Sequence, residues 1–376
     1  MAHTIPAGPV APGGLRDVFT SCLAAVLGRP NPLRLPPMRH AAVVLVDGLG
    51  AEALAARSGH ARTLAAASGK RARMVSGFPT TTAAALASLT TGTDPGQHGL
   101  VGYSALDPAT GVVVNQLHGF DDGSLPDAWQ RCPTVFEQAA REGVRAVAIG
   151  PRHYATTGFT RSVLRGAEYL GARTIAARFE AWQQVIAGPG PSIAYLYVPE
   201  LDVAAHAAGW RSPRWTEHLE AVDAAVADCI AGLPAGAGLV LTADHGILDT
   251  SPDRHLFYDI VPGLLDDVAA IAGEPRCRQL HLRAGADPVA VAADWNEAFG
   301  GAVRALTRAQ AIGEQWFGTV DPHVEPRIGD VLVAATGRWV LLDSRRPKGH
   351  GMIGQHGSWT SAERIVPLLR FGAAAS

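Results

Sequence analysis

Three apolar runs that each stop near an aspartate constrain this chain more than any other feature. HAAVVLV (residues 40–46) runs into Asp47 and GLG, PSIAYLYV (residues 191–198) runs into PELDVAAH with Asp202 and His206, and AGLVLTA (residues 237–243) runs into Asp244 and His245. Runs with so little polar alternation suit strands buried on both faces, as in a parallel sheet. Between them lie helical patterns. RWTEHLEAVDAAVADCIAGL puts Leu219, Val222, Val226, Cys229 and Ile230 on one helical face. PTVFEQAAREGVRAVAIG reads as a helix opened by Pro133, a turn at Gly143 and a strand. AEALAARSGHARTLAAAS, after Asp47, reads as helical. The alternation predicts an α/β protein with a largely parallel central sheet flanked by helices, and such sheets present the carboxyl ends of their strands to a ligand crevice.

The 376 residues suffice for one large domain with an insertion. An arm and lead-in helix are expected over residues 1–38, a main domain over 39–252 and 329–376, and a small inserted α/β cap over 253–328. Within that cap CRQLHLRA, DPVAVAADWNEAF, AVRALTR and AQAIGEQWF read as strand, helix, strand and helix. GDVLVAATGRWVLLDS then reads as a hairpin turning at Thr336 and Gly337.

Charge excludes some partners. With 32 Lys and Arg against 34 Asp and Glu, there is no electrostatic footprint for a nucleic-acid polymer or an anionic membrane, so phosphate recognition has to be local. The four cysteines, Cys22, Cys132, Cys229 and Cys277, lack the C-x-x-C spacing of a zinc ribbon and read as reduced structural thiols. The first residues, MAHTIPAGPVAPGG, have neither the basic nor the apolar region of a signal peptide, and no apolar run is sustained enough for a membrane span. A cytoplasmic location is expected.

Carboxylates and imidazoles recur where the strands end. A further pair, His350 and His356, lies in the glycine-rich stretch GHGMIGQHGS. Any one of these residues is equally well a cap or a surface group. Together they form an oxygen and nitrogen donor set without thiolate, which suits a pair of Zn²⁺ or Mn²⁺ ions better than structural zinc. Three consecutive hydroxyls, Thr80, Thr81 and Thr82, open an alanine-rich helical stretch that breaks at Gly92. A helix N-terminus of this kind offers backbone donors to a phosphate, though a threonine cap on a buried helix has the same composition.

The ordered motifs VDGLG, FPTTTAAALASLTTGTDPGQHGL, ELDVAAH, ADHG and GQHG resemble those of the type I phosphodiesterase/nucleotide pyrophosphatase family, within the alkaline phosphatase superfamily. The resemblance covers about residues 40 to 370, apart from most of the insertion. It implies an alkaline-phosphatase-like layered fold and a site for two divalent metal ions, usually zinc. Asp202, His206 and His356 would hold one ion, and Asp47, Asp244, His245 and the nucleophile the other. The family register alone chooses Thr82 over Thr81 as that nucleophile. The implied chemistry is two in-line displacements at a small phosphorylated substrate through a phosphothreonine, with a nucleotide-like diester or pyrophosphate as the bond cleaved.

The chain departs from the pattern in one place. Many members carry an Asn after the HG motif where this chain has Tyr103, which either donates a hydrogen bond in its stead or leaves the role vacant. Arg152 and Tyr154, in PRHYATTGF, are further candidates for lining the substrate pocket, against a plain surface loop. The glycines of VDGLGAEA also match a dinucleotide fingerprint. Asp47 directly before them would repel a pyrophosphate, and the acidic ribose ligand some twenty residues on is missing. A sulfatase is disfavoured because no Cys or Ser lies in a C/S-x-P-x-R context. A phosphomonoesterase, a phosphonate hydrolase, a cofactor-independent mutase and a non-catalytic metal-binding protein remain as alternatives.

Overall fold

The computed structural model describes residues 13–69 and 72–375, so most of the expected N-terminal arm lies outside it. The central strands are β1 (His40–Val46), β2 (Arg145–Gly150), β3 (Glu168–Gly171), β4 (Ser192–Val198) and β5 (Ala237–Thr242). An inserted set follows: β6 (Val268–Glu274), β7 (Cys277–Leu282), β8 (Val303–Thr307) and β9 (Val331–Ala335). The last strand, β10 (Leu369–Gly372), returns to the first sheet. Helices used below are α1 (Arg16–Val26), α2 (Ala51–Ala56), α3 (Thr82–Thr91), α4 (Glu200–Ala208), α5 (Pro213–Ala231) and α6 (Pro288–Phe299).

The main sheet has the order β10-β5-β1-β4-β2-β3, parallel except for β10. All seven residues of β1 are buried, as expected of a central strand covered on both faces. In-register pairing of Val46 with Val198, and of Leu45 with Thr242, brings the ends of β1, β4 and β5 side by side. The three aspartate-bearing turns therefore share one edge. Helix α5 buries Leu219, Val222, Val226 and Cys229, while Ile230, on the same predicted face, is only half-buried. The helical stretch after Asp47 is interrupted: α2 ends at Ala56, a single 3₁₀ turn covers Ser58–His60, and a second short helix spans Arg62–Ala67.

Strands β6 to β9 form a separate antiparallel sheet in the order β6-β7-β9-β8, closed by α6 around Trp295 and Leu280. The expected strand, helix, strand and short helix are present in that order. The expected hairpin at Thr336 and Gly337 is not. Strand β9 pairs with β7 and β8, and Val340–Leu342 pairs in parallel with His255–Phe257. The inserted sheet thus continues past the boundary at residue 328. Two apolar strands around a Gly turn read alike whether they pair with each other or with distant partners, and here Val331 and Val333 find a better-filled second core. Cys22, Cys229 and Cys277 are buried free thiols, and Cys132 is a half-buried one. No helix among the described residues is long and apolar enough to cross a membrane.

Candidate metal centre and adjoining cavity

Backbone packing decides where the site forms. Gly48 follows Asp47 at a φ of 74°, the left-handed region that favours glycine, and a Cβ there would come within 3.0 Å of the Asp202 carboxylate. At Gly50 a Cβ would meet the Ala362 carbonyl at 2.9 Å, and at Gly246 at 2.0 Å. The turns after β1 and β5 can therefore sit against each other and against the segment following His356 only because those positions are glycines.

Two donor clusters result. Asp202, His206 and His356 form one, and Asp47, Asp244 and His245 the other, with one ligand atom from each residue within 4.8 Å of the rest of its cluster. Asp202 and His206 share a face of α4 four residues apart, with Oδ2 and Nε2 at 3.2 Å. The clusters adjoin, the His245 ring stacking on that of His356 at 3.7 Å between centroids. The six carboxylates and imidazoles among the seven expected metal ligands are thus brought together. His350 is in neither cluster: its Nε2 lies 3.0 Å from the Asp343 carbonyl. His98 is buried in its turn, where its Nδ1 accepts from the Leu100 amide.

The imidazoles share one orientation. Nδ1 of His206 lies 2.8 Å from the Gly354 carbonyl, that of His245 3.2 Å from Gly246 and that of His356 2.7 Å from Thr80. A carbonyl only accepts, so Nδ1 carries the proton in each ring and Nε2 presents a bare lone pair. Yet the Nε2 atoms of His206 and His356 stand 3.3 Å apart. Oδ1 of Asp47, Oδ1 of Asp202 and Oδ2 of Asp244 are buried without a hydrogen-bond partner. Orphaned buried carboxylate oxygens facing unprotonated ring nitrogens fit divalent cations with a preference for mixed N and O ligands.

The electrostatics of the protein alone agree. Burial lifts the Asp47 carboxyl well above the ordinary range, with repulsion from Asp244 and Asp202 adding to it. Burial likewise lifts Asp244 to about 6, with Asp202 adding. For Asp202 burial acts upward too, but the His206 imidazole beside it outweighs that and holds the carboxyl low. Burial pulls His245 down to about 4 and His356 to about 3, which keeps both neutral and ready to ligate.

The three threonines have separate tasks. Thr80 is buried, its hydroxyl donating to the Ser358 carbonyl at 2.9 Å and accepting from the Gly357 amide at 3.0 Å. Thr81 is buried and makes no side-chain cap, which leaves the first-turn amides of α3 free to donate. Thr82 is only half-buried, with Oγ1 3.2 Å from Nε2 of His245. Phe78, packed against Trp316, Phe317 and Trp359, anchors the turn from the core side.

A cavity of ≈ 250 Å³ opens beside Thr82, Asp47 and Asp202, walled by Tyr154, Phe159, Tyr169, Tyr195 and Tyr197. Of the three expected substrate contacts, Tyr154 lines it. Arg152 does not, its Nε lying on the Gly171 carbonyl at 3.3 Å, and neither does Tyr103, an exposed side chain whose amide donates to Glu274. Sequence reasoning missed Tyr195 and Tyr197. Their i, i+2 spacing in an otherwise apolar strand was the available signal, since it puts both rings on one face.

Tyr197 donates to Oδ2 of Asp47 at 2.5 Å and so leaves Oδ1 aimed at the cluster. Tyr197→Phe should weaken Zn²⁺ binding by about 10- to 100-fold, read by competition with a chromogenic chelator. Unchanged affinity would remove Asp47 from the ligand set.

An α/β sheet that delivers two adjacent, thiolate-free carboxylate and imidazole clusters to one edge, with a hydroxyl at a helix N-terminus beside one of them, has the alkaline-phosphatase-like fold. The sequence profile of the type I phosphodiesterase / nucleotide pyrophosphatase family matches residues 41–359, and the chain belongs to that family. Among curated proteins it is 26% identical over 195 residues to an uncharacterized pyrophosphatase/phosphodiesterase of Schizosaccharomyces pombe, spanning 50% of this chain and 40% of that protein's length. Two solved structures share the fold. Murine ectonucleotide pyrophosphatase/phosphodiesterase 5, in an inactive form with AMP, has a TM-score of 0.67 at 17% identity over 89% of this chain and 88% of the other. Phosphonoacetate hydrolase from Sinorhizobium meliloti 1021, with phosphonoformate, has a TM-score of 0.69 at 21% identity over 90% and 91%.

Proposed function

We propose that this protein hydrolyses phosphodiester or pyrophosphate bonds of small, nucleotide-like substrates through a phosphothreonine at Thr82. The observation that carries the reading is the position of the Thr82 hydroxyl, 3.2 Å from His245 of one donor cluster and on the wall of an aromatic cavity that Asp47 and Asp202 also line. Asp202, His206 and His356 would hold one divalent cation, and Asp47, Asp244, His245 and Thr82 the other, with zinc the best match to the donors and manganese the alternative. Such cations supply positive charge to the attacking and departing oxygens and make a hydroxyl a competent nucleophile.

Thr82 Oγ1 attacks phosphorus as the bond to the leaving oxygen breaks in line. A second displacement, by water, cleaves the threonine–phosphorus bond and restores the hydroxyl. The free first-turn amides of α3 donate to non-bridging phosphate oxygens, and the helix field favours their charge. The tyrosine-lined cavity takes the aryl or nucleobase end of the substrate. There the hydroxyl of Tyr195, buried without a partner, supplies a polar contact.

The test is turnover of bis-p-nitrophenyl phosphate beside p-nitrophenyl phosphate, with and without chelator. Faster, chelator-sensitive release from the diester is expected. A monoester preference would move the assignment to a phosphatase, and phosphate release from phosphonoacetate alone would move it to a phosphonate hydrolase. No turnover of any of the three after addition of Zn²⁺ or Mn²⁺ would leave a non-catalytic metal-binding protein.

A further inference from the structure

A second cavity, ≈ 430 Å³, lies between the end of α4, the turn after β9 and residues 359–365. It shares no lining residue with the tyrosine-walled cavity and none with the two donor clusters. Two features of its wall are unexplained by the fold. The first is Arg364: its guanidinium stacks 4.0 Å from the centroid of the Trp359 ring, its Nε is buried without a hydrogen-bond partner, and no carboxylate among the described residues pairs with it. Burial alone acts on this group, pulling it down to about 10. The second is Trp359, 6% exposed, whose indole N–H is also buried and unpartnered. A half-buried cation whose Nε has no partner and a buried donor left unpaired on the same wall leave polar groups that a bound molecule can answer.

The rest of the lining matches. Arg211 lies over Trp210 at 4.9 Å, and Arg338 adds a third cation, against two carboxylates, Glu52 and Asp249. Asp249 is already engaged by the Trp210 amide at 2.9 Å. We infer that this cavity binds a small organic anion with an apolar body, its charged end on Arg364 and Arg211 and its body against the apolar lining of Ile247, Leu248 and Ile365. Guanidinium groups match carboxylate, sulfonate and phosphate geometry, and the apolar lining supplies the rest of the contact. The bound anion would touch residues 360–362, whose Ala362 carbonyl packs on Gly50 and Gly246 behind Asp47 and His245. The site is therefore separate from the substrate cavity but adjoins the support of the metal ligands.

Naphthalene-1-sulfonate is the probe, titrated into metal-loaded protein and followed by tryptophan emission and calorimetry, with naphthalene-1-sulfonamide as its uncharged counterpart. The expected result is one saturable site with a Kd below about 1 mM. Preference for the sulfonate should be about tenfold, and Arg364→Leu should lose about that factor. Arg211→Gln, at an exposed position, should weaken binding severalfold and serves if Arg364→Leu fails to fold. Sulfonate that fails to saturate, sulfonamide that binds equally well, or variants that bind like wild type would each overturn the inference. So would purely competitive inhibition of diester hydrolysis, which would put the probe in the tyrosine-lined cavity. If the protein turns over no ester at all, the binding arms still decide the question.

Discussion

Thr82→Ala is expected to hydrolyse bis-p-nitrophenyl phosphate at least about 10³-fold more slowly than wild type when both are assayed at saturating metal, with its melting temperature nearly unchanged. The size of the loss follows from the absence of a substitute. Thr80 spends its hydroxyl on Ser358 and Gly357, and Thr81 is buried. Neither can turn to a phosphorus placed over Thr82 without breaking the turn that Phe78 anchors. Stability should hold because Thr82 is half-buried and its methyl is a small part of the packing. Quench-flow or intact-mass measurement of a phosphorylated protein should find the adduct in wild type under single turnover and not in the variant. Residual activity within tenfold of wild type would remove the nucleophile assignment and leave direct attack by water.

Glu363→Gln is expected to cost about 3–5 kcal/mol of stability, measured by equilibrium urea unfolding. Arg276 and Glu363 are both fully buried and paired twice, Nε to Oε1 at 2.7 Å and an Nη to Oε2 at 2.9 Å. The amide of glutamine would keep the shape but leave a guanidinium without its counter-charge in the interior. The carboxylate also accepts from the Ser358 amide at 2.9 Å, and the Glu363 carbonyl accepts from the Gly246 amide at 2.7 Å. One residue, by its side chain and its backbone carbonyl, therefore steadies the segments carrying His356 and His245, and losing the side-chain pairing should lower metal affinity with stability. Burial acts to raise the Glu363 pKa, but Arg276 and the hydroxyl and amide donors prevail and hold it below the usual glutamate value. A depressed folded pKa contributes stability that is present above the unfolded value, near 4.5, and is lost as pH falls through the folded one. The wild-type acid limb should be shallower in Glu363→Gln, and an identical limb would show that the pair titrates without consequence.

Much of the site was legible before any coordinates because its ligands sit where strands end. Asp47, Asp244 and His245 each follow a run whose burial is written in its composition, and Asp202 and His206 carry their own geometry in an i, i+4 spacing. The elements that hold those ligands in place were not legible. Tyr197 meets Asp47 across 150 positions, and Arg276 meets Glu363 across 87. No local pattern marks such a partner, since a tyrosine in a strand or an arginine after a turn has the same neighbours in sequence whether it supports a ligand or faces water. The hairpin expected at Gly337 failed for the same reason, since strand pairing is chosen by which core has room for Val331 and Val333.

By itself, the order of residues determined the fold class and the carboxylates and imidazoles gathered at the strand ends, because strand burial and strand ends are properties of short stretches, while the choice of Thr82 and of His356 came from the family resemblance. Tertiary structure alone decided that the Thr82 hydroxyl meets His245 while Thr81 is buried, and that tyrosines from two strands and a 3₁₀ turn wall one cavity. It also decided that the Nε of a half-buried Arg364 is left without a partner among the described residues. Each of these depends on what approaches a residue from far along the chain, and such approach is set by packing the whole interior at once.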